Sequence, residues 1–281
     1  MLIKEYKKQF TETLTPIHGA EEAESFFNIA LEEIQGLRRV DLIMNPDVVV
    51  TDAQKQKWDD VLAQLLEQRP IQYVFRKAHF YGLEFKVTEN TLIPRPETEE
   101  LVEWIIHENK QRHDISILDI GTGSGCIAIS LADNLKQAAV SALDVSDKAL
   151  AVAKENASAN KVTITFIQKD ILTAASLPQQ YDIIVSNPPY VRNLEKHEIK
   201  PNVLDFEPHL ALFVEDNDPL IFYLKIAQLA KVYLKKNGIL YFEINQYLGP
   251  ETVQMLETEG FQNVILRKDL FGNNRMVSCS V

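Results

Sequence analysis

Cysteine is scarce in this chain: Cys126 and Cys279 are the only two among 281 residues. Neither sits in a C-x-x-C or His-rich setting, so the sequence offers no disulfide framework and no metal-type ligand spacing. Two reduced thiols in a cytosolic protein are expected instead. Basic residues are also in deficit, with 29 Lys and Arg against 40 Asp and Glu and a formal net charge of −11. A general DNA or RNA binder needs a positive footprint for phosphates, so stable nucleic-acid binding is not expected. No uninterrupted apolar run approaches membrane-spanning length. The stretch from Met1 to Phe10 mixes charges with isolated apolar residues and lacks an apolar leader core. Neither membrane insertion nor secretion is expected. Internal repeats and low-complexity tracts are absent too. What is present, 46% hydrophobic and 25% charged residues, is ordinary for a globular protein of one large domain or two.

The first third reads as helical. Phe26, Phe27, Ala30, Leu31 and Ile34 share one helical face, and Trp58, Val61, Leu62, Leu65 and Leu66 share another. Thr51 with Gln54 three residues later forms a capping-box start for the second of these, and Pro70 closes it. After Pro70 the run from His79 to Val87 alternates around Gly82 as a short hairpin. Pro94-Arg95-Pro96 introduces a helix carrying Leu101, Val102, Ile105 and Ile106 on one side. From residue 115 onward, strand-like runs at 115–120, 139–143, 162–167, 181–186 and 239–244 alternate with helical patterns, which implies βαβ units and a parallel sheet. The runs 261–266 and 276–281 would form a closing antiparallel hairpin. The expected fold is therefore α/β. Its expected division is a helical bundle over 1–75, a hairpin linker over 76–92 and a sheet domain over 93–281.

Asn187-Pro188-Pro189-Tyr190 directly follows the apolar run from Tyr181 to Ser186. Two consecutive prolines cannot continue a sheet ladder, so the backbone is stiff and turning there. That rigidity fixes the Asn187 carboxamide and the Pro188 carbonyl beside an aromatic ring, a set able to accept both hydrogens of a planar NH2 group. A plain turn is the competing reading. Gly121-Thr122-Gly123-Ser124-Gly125 follows another strand-like run, and its glycines permit tight turning and close backbone approach to a ligand. Cys126 departs from the G-x-G-x-x-G dinucleotide pattern. Asp144 ends the next strand 19 residues beyond Gly125, near the spacing at which an acid reaches a ribose. Asp170, followed by Ile171 and Leu172, ends the third, and an acid beside an apolar side chain suits an adenine. Ligands in open parallel sheets bind outside the carboxyl ends of the strands, where Gly121, Asp144, Asp170 and Asn187 are all expected.

These motifs resemble those of class I S-adenosylmethionine-dependent methyltransferases. More narrowly, the chain is similar to the HemK/PrmC family of glutamine methyltransferases acting on peptide chain release factors. The similarity extends through nearly the whole chain. It includes Arg69-Pro70-Ile71-Gln72-Tyr73, His79-Phe80-Tyr81-Gly82-Leu83, Ile93-Pro94-Arg95-Pro96-Glu97-Thr98-Glu99, the glycine loop, Asn187-Pro188-Pro189-Tyr190 and Glu207-Pro208-His209-Leu210-Ala211-Leu212-Phe213. Lys268-Asp269-Leu270, Gly272 and Arg275 continue it. Phe75, Ile171 and Asn245 depart from residues common in the family. The resemblance implies a Rossmann-like sheet with an N-terminal helical domain that recognises the protein substrate. It implies that Gly121, Thr122, Gly123, Ser124 and Gly125 hold the methionine part of S-adenosylmethionine. Asp144 would bind the ribose, Asp170 and Ile171 the adenine. Asn187, Pro188, Pro189 and Tyr190 would hold the glutamine amide of a Gly-Gly-Gln motif, with Arg95 and Thr98 lining the same cavity and Asn187 also bordering the cofactor. Asn187, Pro188 and Tyr190 are the catalytic candidates, no metal is required, and a cytoplasmic monomer is expected.

Two rival readings use the same residues. An adenine-specific DNA methyltransferase also acts on a conjugated NH2 group, but base flipping needs phosphate contacts that an acidic chain without a basic cluster does not offer. A non-catalytic nucleotide-binding module would have no use for an amide clamp.

Overall fold

A computed structural model describes all 281 residues, Met1 to Val281. The chain divides into two compact units, Met1–Arg76 with Pro201–Phe206 and Lys77–Lys200 with Glu207–Val281.

The first unit holds α1 (Ile3–His18), α2 (Ala20–Gln35), α3 (Arg39–Met44), α4 (Asp52–Leu66) and α5 (Ile71–Phe75). Gly36 ends α2 with φ +66°, its N–H donating to the Glu32 carbonyl, a left-handed termination that glycine adopts without strain. Thr51 caps α4 as its spacing predicts: the Gln54 N–H donates to Thr51 Oγ1 at 3.3 Å, and the Thr51 N–H to Gln54 Oε1 at 3.0 Å. The core is aromatic. Phe27 and Trp58 stack with centroids 5.0 Å apart, and Phe10 meets Trp58 edge-on. Burying each such side chain contributes about 1.5–3 kcal/mol by area. Leu66, expected on the buried stripe of α4, is exposed. It lies ~80° around the helix from Trp58, at the edge of the stripe.

The second unit opens with the hairpin β1 (Lys77–Phe80) and β2 (Leu83–Lys86), followed by α6 (Pro96–Asn109). Then come β3 (Ser116–Ile120), α7 (Cys126–Asn134), β4 (Ala139–Asp144), α8 (Asp147–Ala159), β5 (Ile164–Gln168) and β6 (Tyr181–Ser186). After β7 (Val191–Arg192) the chain lends α9 (Pro201–Leu204) to the first unit. It returns through β8 (Phe213–Val214), α10 (Ile221–Tyr233), β9 (Leu234–Glu243), α11 (Gly249–Thr258), β10 (Gln262–Lys268) and β11 (Asn274–Ser280). Seven strands form one sheet in the order β10-β11-β9-β6-β3-β4-β5. β5, β4, β3, β6 and β9 run parallel, and β11 and β10 close the edge in antiparallel fashion. The hairpin expected as a linker buries Phe80 and Phe85 in the same apolar cluster as Leu101 and Ile105 of α6 and Ile117 of β3. A second cluster joins Ile184 of β6 and Phe242 of β9 with Tyr223 and Ile226 of α10.

β9 begins at Leu234, before the apolar run that announces it. Its early residues are Lys235, Lys236 and Asn237, and Lys235 Nζ pairs with Asp182 at 2.8 Å. Polar residues there hide the strand from a reading of apolar runs.

Candidate active site

Strand order reverses between β3 and β6, whose connections lead to opposite sides of the sheet. Loops leaving two such neighbours diverge and open a crevice at their carboxyl ends. Ile120 of β3 pairs with Ser186 of β6, so the glycine loop and the Asn-Pro-Pro-Tyr segment leave the sheet side by side. A cavity of about 380 Å³ opens there, within the range of small-molecule sites.

Its lining includes Gly121, Thr122, Gly123, Ser124, Asp144, Asp170, Ile171, Asn187, Pro188, Pro189, Arg95 and Thr98. The site candidates from four strand ends and the start of α6 therefore meet at one cavity. Gly125 and Tyr190 do not line it. Gly125 precedes α7 at φ +84°, where an added Cβ would come within 2.9 Å of Ile129 Cδ1 and 3.2 Å of Ala153 Cβ, so its bareness lets α7 and α8 pack closely. At Gly121 and Gly123, with φ +75° and +55°, an added Cβ would meet nothing closer than 4.0 Å. Those two glycines are needed for backbone conformation and leave the cavity side of the loop bare.

Asp144 works as a loop clamp. Its Oδ2 accepts the Gly123 N–H at 2.8 Å and its Oδ1 the Ser146 N–H at 2.9 Å. Burial raises its pKa, and those two N–H groups oppose the rise. Ser146 caps α8, its Oγ accepting from the Ala149 N–H at 3.1 Å, which leaves Asp144 free of that duty. Asp170 Oδ1 accepts the Leu172 N–H at 2.9 Å and so presents its carboxylate at the cavity edge beside Ile171.

Asn187 is held from α6. Its Nδ2 donates to Thr98 Oγ1 at 3.3 Å, and the Thr98 hydroxyl donates to Glu243 Oε2 at 2.6 Å. Glu243 ends β9, and its other oxygen accepts from Tyr190 Oη at 3.1 Å. Burial raises the pKa of Glu243, opposed by Thr98, Arg275 and Tyr190. Burial, and then the Glu243 charge, raises that of Tyr190. Tyr190, expected to pack on the substrate amide, lies outside the cavity lining, with its hydroxyl engaged by Glu243. Arg95 is likewise committed: its Nη2 pairs with buried Glu207, whose second oxygen accepts the Ile93 N–H at 3.1 Å. That pair ties the segment before α6 to the segment after α9.

Two residues here carry no motif in the sequence, and a third, Asn245, stands out there only as a departure from the family pattern. Glu243 is one, although it stands at a strand's carboxyl end as the other site acids do. Asp119, within β3, is fully buried, takes the Thr122 hydroxyl at 2.6 Å and has its pKa pushed up to about 7 by desolvation. Asn245, a departure from the family pattern, donates to the Tyr190 carbonyl and to Glu195 Oε2, each at 2.9 Å, and so pins the exit of the Asn-Pro-Pro-Tyr segment. Cys126 borders the cavity, yet burial pushes its pKa up to about 12, so its thiol stays neutral.

Residues 98–205 match the methyltransferase small domain and residues 5–75 the PrmC N-terminal domain. The fold resembles a methyltransferase from Pyrococcus furiosus, with a TM-score of 0.51 at 16% identity over 79% of this chain and 100% of that one. The release factor glutamine methyltransferase of Flavobacterium psychrophilum is 61% identical over 99% of this chain and 98% of its own length. That of Bacteroides thetaiotaomicron is 42% identical over 96% of each. With identity at that level from end to end, the chain belongs to the release factor glutamine methyltransferase family.

Proposed function

We propose that this enzyme transfers a methyl group from S-adenosylmethionine to the side-chain amide nitrogen of a glutamine in peptide chain release factors. The observation that carries the reading is the Asn187 carboxamide at the cavity wall. Its NH2 is spent on Thr98, which turns Oδ1 outward as an acceptor. Identity to release factor glutamine methyltransferases over the whole chain supports the same substrate.

The residues present fit the cofactor. Bare glycine backbone at Gly121 and Gly123 gives room for close approach, Asp144 keeps lone pairs for a ribose diol, and Asp170 with Ile171 offers an acceptor beside an apolar face. S-adenosylmethionine, when bound, supplies an electrophilic methyl group. The chain's own task is alignment and nitrogen activation, because an amide lone pair is delocalised into its carbonyl. Asn187 Oδ1 and the Pro188 carbonyl would accept the two N–H groups of the substrate amide. Acceptors so placed favour a nitrogen that turns pyramidal and gains positive charge, which is electrostatic preorganisation. The methyl group's old bond to sulfur breaks with its electron pair left on a neutral thioether, and the surplus amide proton passes to water after transfer, so no prior base is required.

Residues 1–75 carry no reactive constellation, and we assign them to recognition of release factor surface distant from the glutamine. Translation factors are cytoplasmic, and the reading puts the enzyme there too. The test is label transfer from methyl-labelled S-adenosylmethionine with release factor and DNA both present. Label is expected on release factor alone, and Asn187→Ala is expected to abolish it while leaving cofactor affinity largely intact. Label on DNA, or an Asn187→Ala enzyme with normal turnover, overturns the reading.

A further inference from the structure

A primary carboxamide is nearly symmetric in shape but opposite in polarity at its two ends, so a site built on Asn187 works only if something fixes which end faces the substrate. Asn187 does not choose by itself. Its Nδ2 lies 3.3 Å from a hydroxyl oxygen, and a hydroxyl both donates and accepts, which leaves the orientation open at that contact. The next contact closes the question. Thr98 Oγ1 lies 2.6 Å from Glu243 Oε2; against the burial that raises the Glu243 pKa, the Arg275 charge and the Thr98 and Tyr190 hydroxyls favour its ionised form, and a carboxylate in that form only accepts. The Thr98 hydrogen is therefore committed to Glu243, its oxygen can only accept from Asn187, and the NH2 end must turn inward. Both Thr98 and Glu243 are shielded from solvent, 2% and 1% exposed, so water does not scramble this direction. Tyr190 Oη occupies the other Glu243 oxygen at 3.1 Å, and Tyr223 Oη donates to the Glu243 backbone carbonyl at 3.2 Å, which holds the carboxylate in place.

Building on the amide-clamp reading above, we propose that Glu243, acting through Thr98, is a positioning residue that sets the polarity of the Asn187 carboxamide and thereby makes the site accept an NH2 group and reject a carboxylate. The relay spans three elements, the start of α6, the end of β6 and the end of β9, and Glu243 acts from outside the cavity that Thr98 and Asn187 line. Its consequence is specificity between glutamine and glutamate. With oxygen outward, a substrate amide finds an acceptor, whereas a carboxylate of the same shape meets oxygen against oxygen. With the carboxamide turned, the preference inverts.

The test uses the full-length enzyme with intact release factor and a matched pair of short peptides, one bearing the glutamine and one a glutamate in its place. Thr98→Val removes the hydroxyl at nearly constant shape, Thr98→Ser restores it, and Glu243→Met removes the carboxylate at similar volume. Thr98→Val and Glu243→Met are expected to lower kcat about 10- to 100-fold with S-adenosylmethionine affinity unchanged, the scale of one reversed polar contact. Thr98→Ser is expected to recover most of the loss. Inhibition by the glutamate peptide should strengthen about tenfold in Thr98→Val, a change that loss of packing alone would not produce. The double variant should be no slower than Thr98→Val, because the relay is already cut; losses that multiply would mean Glu243 acts separately. Should Glu243→Met fail to fold, the Thr98 pair decides. Wild-type kcat and unchanged glutamate inhibition in Thr98→Val overturn the inference. Asn187→Ala run alongside separates the two levels. If it is inactive while Thr98→Val is normal, only the relay is wrong; if it is fully active, the amide-clamp reading itself fails.

Discussion

Replacing Asp144 by asparagine changes one atom and should cost the enzyme twice. Each carboxylate oxygen accepts a backbone N–H, from Gly123 at 2.8 Å and from Ser146 at 2.9 Å. An asparagine can satisfy only one of them. The other N–H would face an NH2 group inside a largely dry wall, and an unmade bond of that kind costs about 1–3 kcal/mol. A partial compensation runs the other way. Burial raises the Asp144 pKa, so its ionised form carries a desolvation cost that asparagine lacks. We therefore expect a net loss nearer 1 than 3 kcal/mol, or roughly 2–4 °C in the melting of the cofactor-free enzyme. The second cost appears only with cofactor. A charged acceptor for the ribose becomes a neutral one, and one of the two backbone clamps, at Gly123 or at Ser146, is lost, so S-adenosylmethionine affinity should fall about 10- to 100-fold by calorimetry. Scanning calorimetry without cofactor and titration with it separate the two effects. Melting at or above the wild-type temperature would refute the clamp, and unchanged affinity would refute the assignment of Asp144 to the cofactor.

Asp119, with its pKa pushed up to about 7 from 3.8, holds a proton in the folded chain that the unfolded chain has lost between those values. Its contribution to stability must therefore fall as pH rises through that window, by at most about 1.4 kcal/mol per unit. Asp119→Asn should gain melting temperature relative to wild type from pH 4 to pH 7, and parallel profiles would contradict the assignment. Gly125→Ala adds to its left-handed strain contacts of 2.9 Å with Ile129 Cδ1, which can turn aside, and 3.2 Å with Ala153 Cβ of α8, which cannot, whereas Gly123→Ala at φ +55° carries strain alone. Denaturant titration should show the first destabilised by about 1–3 kcal/mol more than the second, and equal losses would refute the packing argument. Removing residues 1–76 should lower transfer to intact release factor far more than transfer to a short glutamine peptide; equal loss on both would remove those residues from substrate recognition.

Much of the sheet was legible because parallel strands buried on both faces read as apolar runs. β3, β4 and β6 start and stop within a residue or so of where Ile115, Ala139 and Tyr181 announce them. Where the signal failed, polarity was the cause. β9 enters through Lys235 and Asn237, and Leu66 belongs to an apolar cluster in sequence but to the edge of a stripe in space. The cavity candidates were visible because they share a rule: ligands sit at the carboxyl ends of parallel strands. Glu243 falls under the same rule, since it ends β9 as Asp144 ends β4, but the polar start of β9 blurs that strand in the sequence.

Sequence alone could not supply the pairing of these groups. Thr98 reads as one residue in the first turn of a helix, and Tyr190 as an aromatic beside a proline pair. Only the sheet order brings them to the same carboxylate. β9 lies next to β6, so the end of β9 stands beside the residues that leave β6, and α6 packs over both. A buried carboxylate with no partners would cost several kcal/mol, which makes an isolated glutamate at that position untenable. The same burial becomes useful once Thr98 and Tyr190 each give it a hydrogen. Their hydroxyls offset its desolvation, and its charge in return dictates the direction in which both hydroxyls point. Orientation of the Asn187 amide thus arises from the electrostatic needs of a residue that never reaches the cavity.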